Sequence, residues 1–187
     1  HSIARRQRQM CIRDSLIDSF IDLKKENKHL VLAPRHPERF DEIKKIANEK
    51  NLSNILYTEV SSNPNIKSDV TIVDVIGRLL DFYQIADCVF IGGTLVDHGG
   101  QNFLEPAFFN KPIISGRSTY NFDEISKKLS DLGLLKFVSN KDEISSVVEN
   151  IEAISDSLKK DTNLWLNENR GASKFISKKV CKEFNLI

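Results

Sequence analysis

Short apolar runs alternate along this chain with longer stretches whose apolar residues recur three and four apart, the pattern of buried strands set between amphipathic helices. Leu16, Phe20 and Leu23 mark a first helical stripe, and KHLVLAP reads as a strand closed by Pro34. Pro37 then suits a first helical turn, with Phe40, Ile43 and Ala47 on one face of the helix that follows. Residues 55–57 and 70–73 are expected strands, separated by a polar loop over 59–68. Helical spacing over 77–86 runs into CVFIGG, a continuously apolar strand, and a helix over 102–110 leads to a strand at 112–115. Asn121 with Glu124 has the spacing of a capping box, and Tyr120 with Ile125 that of a hydrophobic staple, which together predict a helix start. A last strand at 134–138 precedes a helix capped by Asn140 and Glu143. A further helix over 162–184 carries Trp165, Ala172, Ile176 and Val180 on one face. This alternation predicts an α/β fold, a Rossmann-like doubly wound parallel sheet.

At 187 residues the chain can bury one sizeable core. Three parts are expected: residues 1–14 as an arm of non-native origin, 15–161 as the Rossmann-like domain, and 162–187 as a C-terminal helix. The arm stands apart because Arg5, Arg6, Arg8 and Arg13 crowd it with no acid before Asp14, whereas lysine dominates elsewhere. A formal net charge of +1 gives no support for a nucleic-acid partner. Cys11, Cys88 and Cys181 lie far apart with no CxxC pair, which argues for a reducing compartment, and Cys88 in its apolar run reads as a small core residue. No apolar run is long enough to span a bilayer, so this piece is expected to be a soluble domain.

The chemistry is densest in VFIGGTLVDHGGQNFLEPAFFNKPIISGRSTY, from Val89 to Tyr120. Gly92 and Gly93 follow a strand and let backbone N–H groups approach a ligand oxygen, while Gly99 and Gly100 bring a loop and a helix start to the same crevice. Neither pair matches a dinucleotide fingerprint or a P-loop. Glu105, in the first helical turn before Pro106, reads either as an acid suited to a helix N-terminus or as an acceptor for ribose hydroxyls. Asp97 is placed to bind sugar, to orient His98, or to face water. Arg35 can clamp phosphate or carboxylate or stay solvated, and His36 beside it is a cap, a packed imidazole or a donor to an anion. His98 is a surface loop residue or a ligand donor, Arg117 a ligand contact or a solvated arginine, and Asn121 a helix cap before it is a ligand. His29 reads as structural, and no histidine has metal-ligand spacing with His36, so no metal site is expected. No serine has nucleophile-elbow context.

Four segments together resemble the C-terminal half of the 3-deoxy-D-manno-octulosonic acid (Kdo) transferase family: LAPRHPERF at 32–40, DVIGRLLDFYQIADCVFIGGTLV at 74–96, GGQNFLEPA at 99–107 and PIISGRSTYNF at 112–122, continuing to ENRGA at 168–172. The resemblance implies a GT-B glycosyltransferase whose C-terminal domain binds CMP-Kdo and needs no cofactor. Transfer would go to a lipid A precursor with inversion, at the cytoplasmic face of the bacterial inner membrane. By motif it places Arg35 and His36 on the donor side, Gly92, Gly93 and Thr94 at the phosphate edge, and Asn102 and Glu105 at the ribose, with Gly99 and Gly100 shaping the pocket. Asp97, His98, Gln101, Arg117 and Asn121 follow as secondary donor contacts. The family's general base, acceptor site and membrane-associating region belong to an N-terminal half outside this chain, toward which the last helix would pack. This piece alone is therefore expected to be inactive. Departures from the family pattern are Arg78 for Glu, Thr94 for Ser, Gln101 for His, and Gly116-Arg117-Ser118 for a Gly-Pro-His-like turn. Other readings are a GT-B transferase or an epimerase using a UDP- or GDP-sugar, and a non-catalytic nucleotide-binding or docking module.

Overall fold

The computed structural model describes residues 16–23, 28–62, 66–151 and 156–169. The arginine-rich arm at 1–14, and residues 170–184 of the expected last helix, lie outside them. A helix over residues 16–23, α1, buries Phe20 and Leu23 of the expected stripe, with Ile17 rather than half-buried Leu16 as its third core residue. The chain then passes through β1 (Leu30–Leu32), a 3₁₀ turn with Pro37 at its first position, and α2 (Phe40–Glu49), which buries Ile43, Ile46 and Ala47. It continues as β2 (Asn54–Leu56), α3 (Tyr57–Ser62), β3 (Val70–Ile72), α4 (Leu79–Ile85), β4 (Val89–Ile91) and α5 (Leu104–Phe108). Last come β5 (Ile113–Ser115), α6 (Asp123–Asp131), β6 (Leu135–Phe137), α7 (Lys141–Glu149) and α8 (Asp156–Glu168).

Among the described residues all strand pairings are parallel, so the fold is α/β with crossover helices. Their hydrogen bonding forms two three-stranded ladders, β1-β3-β2 and β4-β5-β6. Both Leu30 and Asn54 pair with Val70, and Val89 and Leu135 both pair with Ile113. The central strands β3 and β5 are buried along their full length, whereas the middle residue of β1, Val31, is 36% exposed. His29 fixes the entry to β1 by contacts of 3.0 Å to the Ser68 carbonyl and 2.9 Å to the Thr71 hydroxyl, in the structural role expected of it. Asp18 of α1 pairs with Lys50 at the end of α2, and the Ser19 hydroxyl donates to the Lys141 carbonyl at 3.0 Å. The first helix thus touches both α2 and the start of α7.

Three expected elements differ from the structure. The polar loop begins as helix α3, because Asp74 at the exit of β3 accepts the Thr58 N–H at 3.0 Å and the Thr58 hydroxyl at 2.5 Å, capping it from a distant part of the chain. Asn121 does not cap α6: its amide donates to the His98 carbonyl at 3.2 Å, the helix starts at Asp123, and Tyr120 is 61% exposed rather than stapled. The final helix starts at Asp156, so the expected boundary between 161 and 162 falls inside it. Leu158 and Trp165 of α8 pack against the cluster built by Val89, Ile91, Phe103, Ile113, Leu129 and Leu135. By contrast Asn140 caps α7 as expected, accepting the Glu143 N–H at 3.0 Å while Glu143 accepts the Ser139 N–H at 2.7 Å.

Candidate functional site

Strands β4 and β5 are parallel neighbours, so the loops leaving them emerge at one edge of the sheet, where α/β folds hold ligands. A dense set of hydrogen bonds joins these two loops. Thr94, 1% exposed, donates its hydroxyl to the Ile91 carbonyl and accepts the Gly116 N–H, each at 2.7 Å, and its own carbonyl accepts the Ser118 N–H at 3.0 Å. The Gly99 N–H donates to the Ser118 hydroxyl at 3.2 Å, and the Gly100 N–H donates to the Gly93 carbonyl at 3.3 Å. Thr94 was expected at the phosphate edge, but its hydroxyl is turned inward and holds the two loops together.

Two glycines are sterically necessary here. A Cβ on Gly116 would lie 2.2 Å from the Thr94 carbonyl oxygen, so only glycine lets the loops approach this closely. Gly99 has φ +74° and its pro-side-chain direction meets Asn121 Nδ2 at 2.4 Å and the Tyr120 ring at 2.6 Å. The Tyr120 ring therefore rests against the Gly99 backbone while most of its surface faces solvent.

Beyond the glycines, Asn102 and Glu105 form a second feature. Asn102 Oδ1 accepts the Leu104 N–H at 2.9 Å, and Asn102 Nδ2 donates to Glu105 Oε1 at 3.0 Å. Asn102, one residue before the N-cap Phe103, therefore satisfies the first N–H of α5 and aims the Glu105 carboxylate at the same time. Half-buried Tyr83, on α4, stands close enough to this carboxylate to be affected by it: burial first, and the Glu105 charge second, push its phenol up to about 12. In the sequence Tyr83 stands only as part of a helical stripe, and only the packing of α4 on α5 brings it to the site.

The remaining expected residues divide between two places. Arg35 and His36 are exposed on the turn after β1, with His36 Nδ1 3.9 Å from Glu38 Oε1, in the ladder that does not contain β4. Asp97 and Arg117 line an open cavity of about 650 Å³ together with Ser118, Thr119, Tyr120 and Asp123. His98 uses its backbone in the loop, donating to Val96 and accepting from Asn121, and Gln101 is exposed beside Gly100. The sequence alone does not single out Asp123 as a lining residue. Among the described residues no group of three or more metal-ligating side chains is found, and no helix is long and apolar enough to cross a membrane. Cys88 packs beside Ile114, Val138 and Ile144, where burial and then Asp87 push its thiol up to about 11.

No family model matches the chain. Over 173 residues it is 35% identical to a bifunctional glycosyltransferase/methyltransferase of Fusobacterium nucleatum, covering 92% of this chain and 26% of that protein. Over 150 residues it is 37% identical to a 3-deoxy-D-manno-octulosonic acid transferase of Haemophilus influenzae, covering 78% of this chain and 35% of the relative. The chain thus spans about a quarter to a third of the length of these curated relatives. Its fold is similar to the crystal structure of the C-terminal CMP-Kdo binding domain of WaaA from Acinetobacter baumannii, with a TM-score of 0.68 at 24% identity, covering 81% of this chain and 80% of that one.

Proposed function

From the premise that the chain matches the 3-deoxy-D-manno-octulosonic acid transferase family, in the fold of its C-terminal domain, we propose that it is the donor-binding part of a Kdo transferase. Its ligand is CMP-Kdo, and the complete protein transfers the sugar to a lipid A precursor at the inner membrane. The observation that carries this reading is the Asn102–Glu105 pair next to the Gly99-Gly100 loop. A carboxylate aimed by an amide suits two vicinal ribose hydroxyls, because it offers acceptor lone pairs in one plane. In this reading Gly92 and Gly93 present backbone to the phosphate edge, and Arg35 and His36, exposed on the turn after β1 in the other ladder, supply cationic and donor character on the donor side. Charge building on the departing CMP phosphate would be stabilised by these donors, while the acceptor and the general base come from another part of the complete protein. The likeness to a bifunctional protein over most of this chain supports a donor module used within longer enzymes.

Titration calorimetry of the 187-residue chain against CMP, UMP and GMP tests the reading. CMP is expected to bind, with no Kdo transfer detectable from the chain alone, and Glu105→Ala is expected to weaken CMP about tenfold, the value of a lost charge-assisted pair of hydrogen bonds. No heat at millimolar CMP, or equal affinity for the three nucleotides, would defeat it.

A further inference from the structure

The two ladders leave open edges of the same kind. The Leu30 N–H donates to the Asp69 carbonyl at 3.0 Å and the Leu32 carbonyl accepts the Val73 N–H at 2.8 Å, so Leu30 and Leu32 turn their backbone groups toward β3. Successive residues of a strand alternate in direction, which turns the N–H and C=O of Val31 away from β3. On β4 the Val89 N–H donates to the Pro112 carbonyl at 2.9 Å, and the same alternation turns the N–H and C=O of Phe90 away from β5. Among the described residues β1 and β4 each pair with one strand, and not with each other. Each therefore presents an edge of the kind that recruits another strand.

Helix α1 shows where such a strand belongs. It lies on the same face of the first ladder as α2, since Ile17 and Phe20 share one core with Ile43, Ile46 and Ala47. Crossovers between parallel strands have one hand, so two successive crossovers on one face advance across the sheet in the same direction. The crossover through α2 leads from β1 past β3 to β2, and a strand feeding α1 therefore lies on the other side of β1, at its open edge. α1 also reaches the second ladder. The Ser19 hydroxyl donates to the Lys141 carbonyl at 3.0 Å and the Ser145 hydroxyl to the Ser19 carbonyl at 3.5 Å, both on α7, whose Ile144 shares a cluster with Ile114 and Phe90.

We propose that β1 and β4 share one further parallel strand, which lies between them, leads into α1 and joins the two ladders in a single sheet. The strand is a continuous apolar run, as strands inside parallel sheets are, and one of its faces lies under the buried Ile17 and Phe20. The arm with Arg5, Arg6 and Arg8 has no such run, so the strand comes from the complete protein, whose curated relatives are much longer than this chain. In the joined sheet the turn after β1, with Arg35 and His36, and the loop after β4, with Gly92 and Gly93, flank the end of one strand.

Amide hydrogen exchange in the 187-residue chain tests this. In the unaltered chain the Val31 and Phe90 amides are expected to exchange at least about tenfold faster than those of Leu30 and Val89, which are hydrogen-bonded inside the ladders. Converting the arm to an apolar strand, by Arg5→Val, Arg6→Ile, Gln7→Val, Arg8→Ile and Gln9→Val together, is expected to slow both open-edge amides about tenfold or more and to raise the unfolding midpoint. The same variant with Gln7→Pro in place of Gln7→Val should lose that gain, because proline cannot donate to a central ladder. Slow exchange at Val31 and Phe90 in the unaltered chain means that the edges are already closed, and overturns the proposal. So does a folded variant in which neither amide is slowed, or only one of the two. Slowing that appears only as the variant dimerises assigns the edges to a second copy, and overturns the placement as well. The substitutions lie outside the described residues, so the remaining amides report whether the domain stays folded.

Discussion

Glu105 accepts the Asn102 amide at 3.0 Å and its charge reaches Tyr83. Deprotonating Tyr83 would set a phenolate in a half-buried position near a carboxylate, and burial and that repulsion together explain a phenol raised to about 12. Glu105→Gln is accordingly expected to lower the Tyr83 midpoint in an ultraviolet phenolate titration; an unchanged midpoint would mean that burial alone sets it. Because the folded value lies above the ordinary tyrosine value of about 10, the associated stability is fully present below pH ~10 and is lost as the pH rises toward about 12. A second lesson at this scale comes from Thr94 and Asn121. Both carry polar groups suited to a ligand or a cap, and both instead join the loops, Thr94 to Gly116 and Asn121 to His98.

Helix α3 forms from an acid that is remote in sequence. The Asp74 carboxyl would be raised by burial, but the Thr58 hydroxyl and N–H, its own backbone N–H and the Lys44 charge outweigh that and hold it below the usual carboxylate range. Its contribution is present above the unfolded value near 3.8 and disappears as the pH falls through the lower folded value. Asp74→Ala should destabilise the chain by about 1 kcal/mol, as loss of a helix cap does, and the deficit should shrink in urea melts at acidic pH. A deficit that stays constant down to acidic pH would show that Asp74 acts without its charge. The same element logic accounts for α5, whose entry is closed by Asn102 while that residue also aims Glu105.

Across the whole molecule, α8 closes the second ladder by laying Leu158 and Trp165 on its core, and Asn163 accepts from the Asn110 amide at 3.0 Å. Trp165→Ala is expected to cost about 2 kcal/mol, less than a fully buried tryptophan, and a urea-melt change near zero would show that the helix contributes little to the fold. The sequence by itself determined the parallel α/β architecture, because runs such as CVFIGG and the spaced stripes of α2 and α7 impose strand and helix wherever burial is available. It also brought out the glycine loop with Asn102 and Glu105, since glycine pairs and a short-range acid leave a local signature. Only the tertiary structure decided that α3 is a helix, that Asn121 pins a loop instead of capping α6, that Tyr83 stands near Glu105, and that Tyr120 and Asp123 line one cavity. Those outcomes depend on contacts between residues far apart in the chain, Asp74 with Thr58 and Asn121 with His98, whose energies outweigh the local preferences that periodicity and capping rules can read.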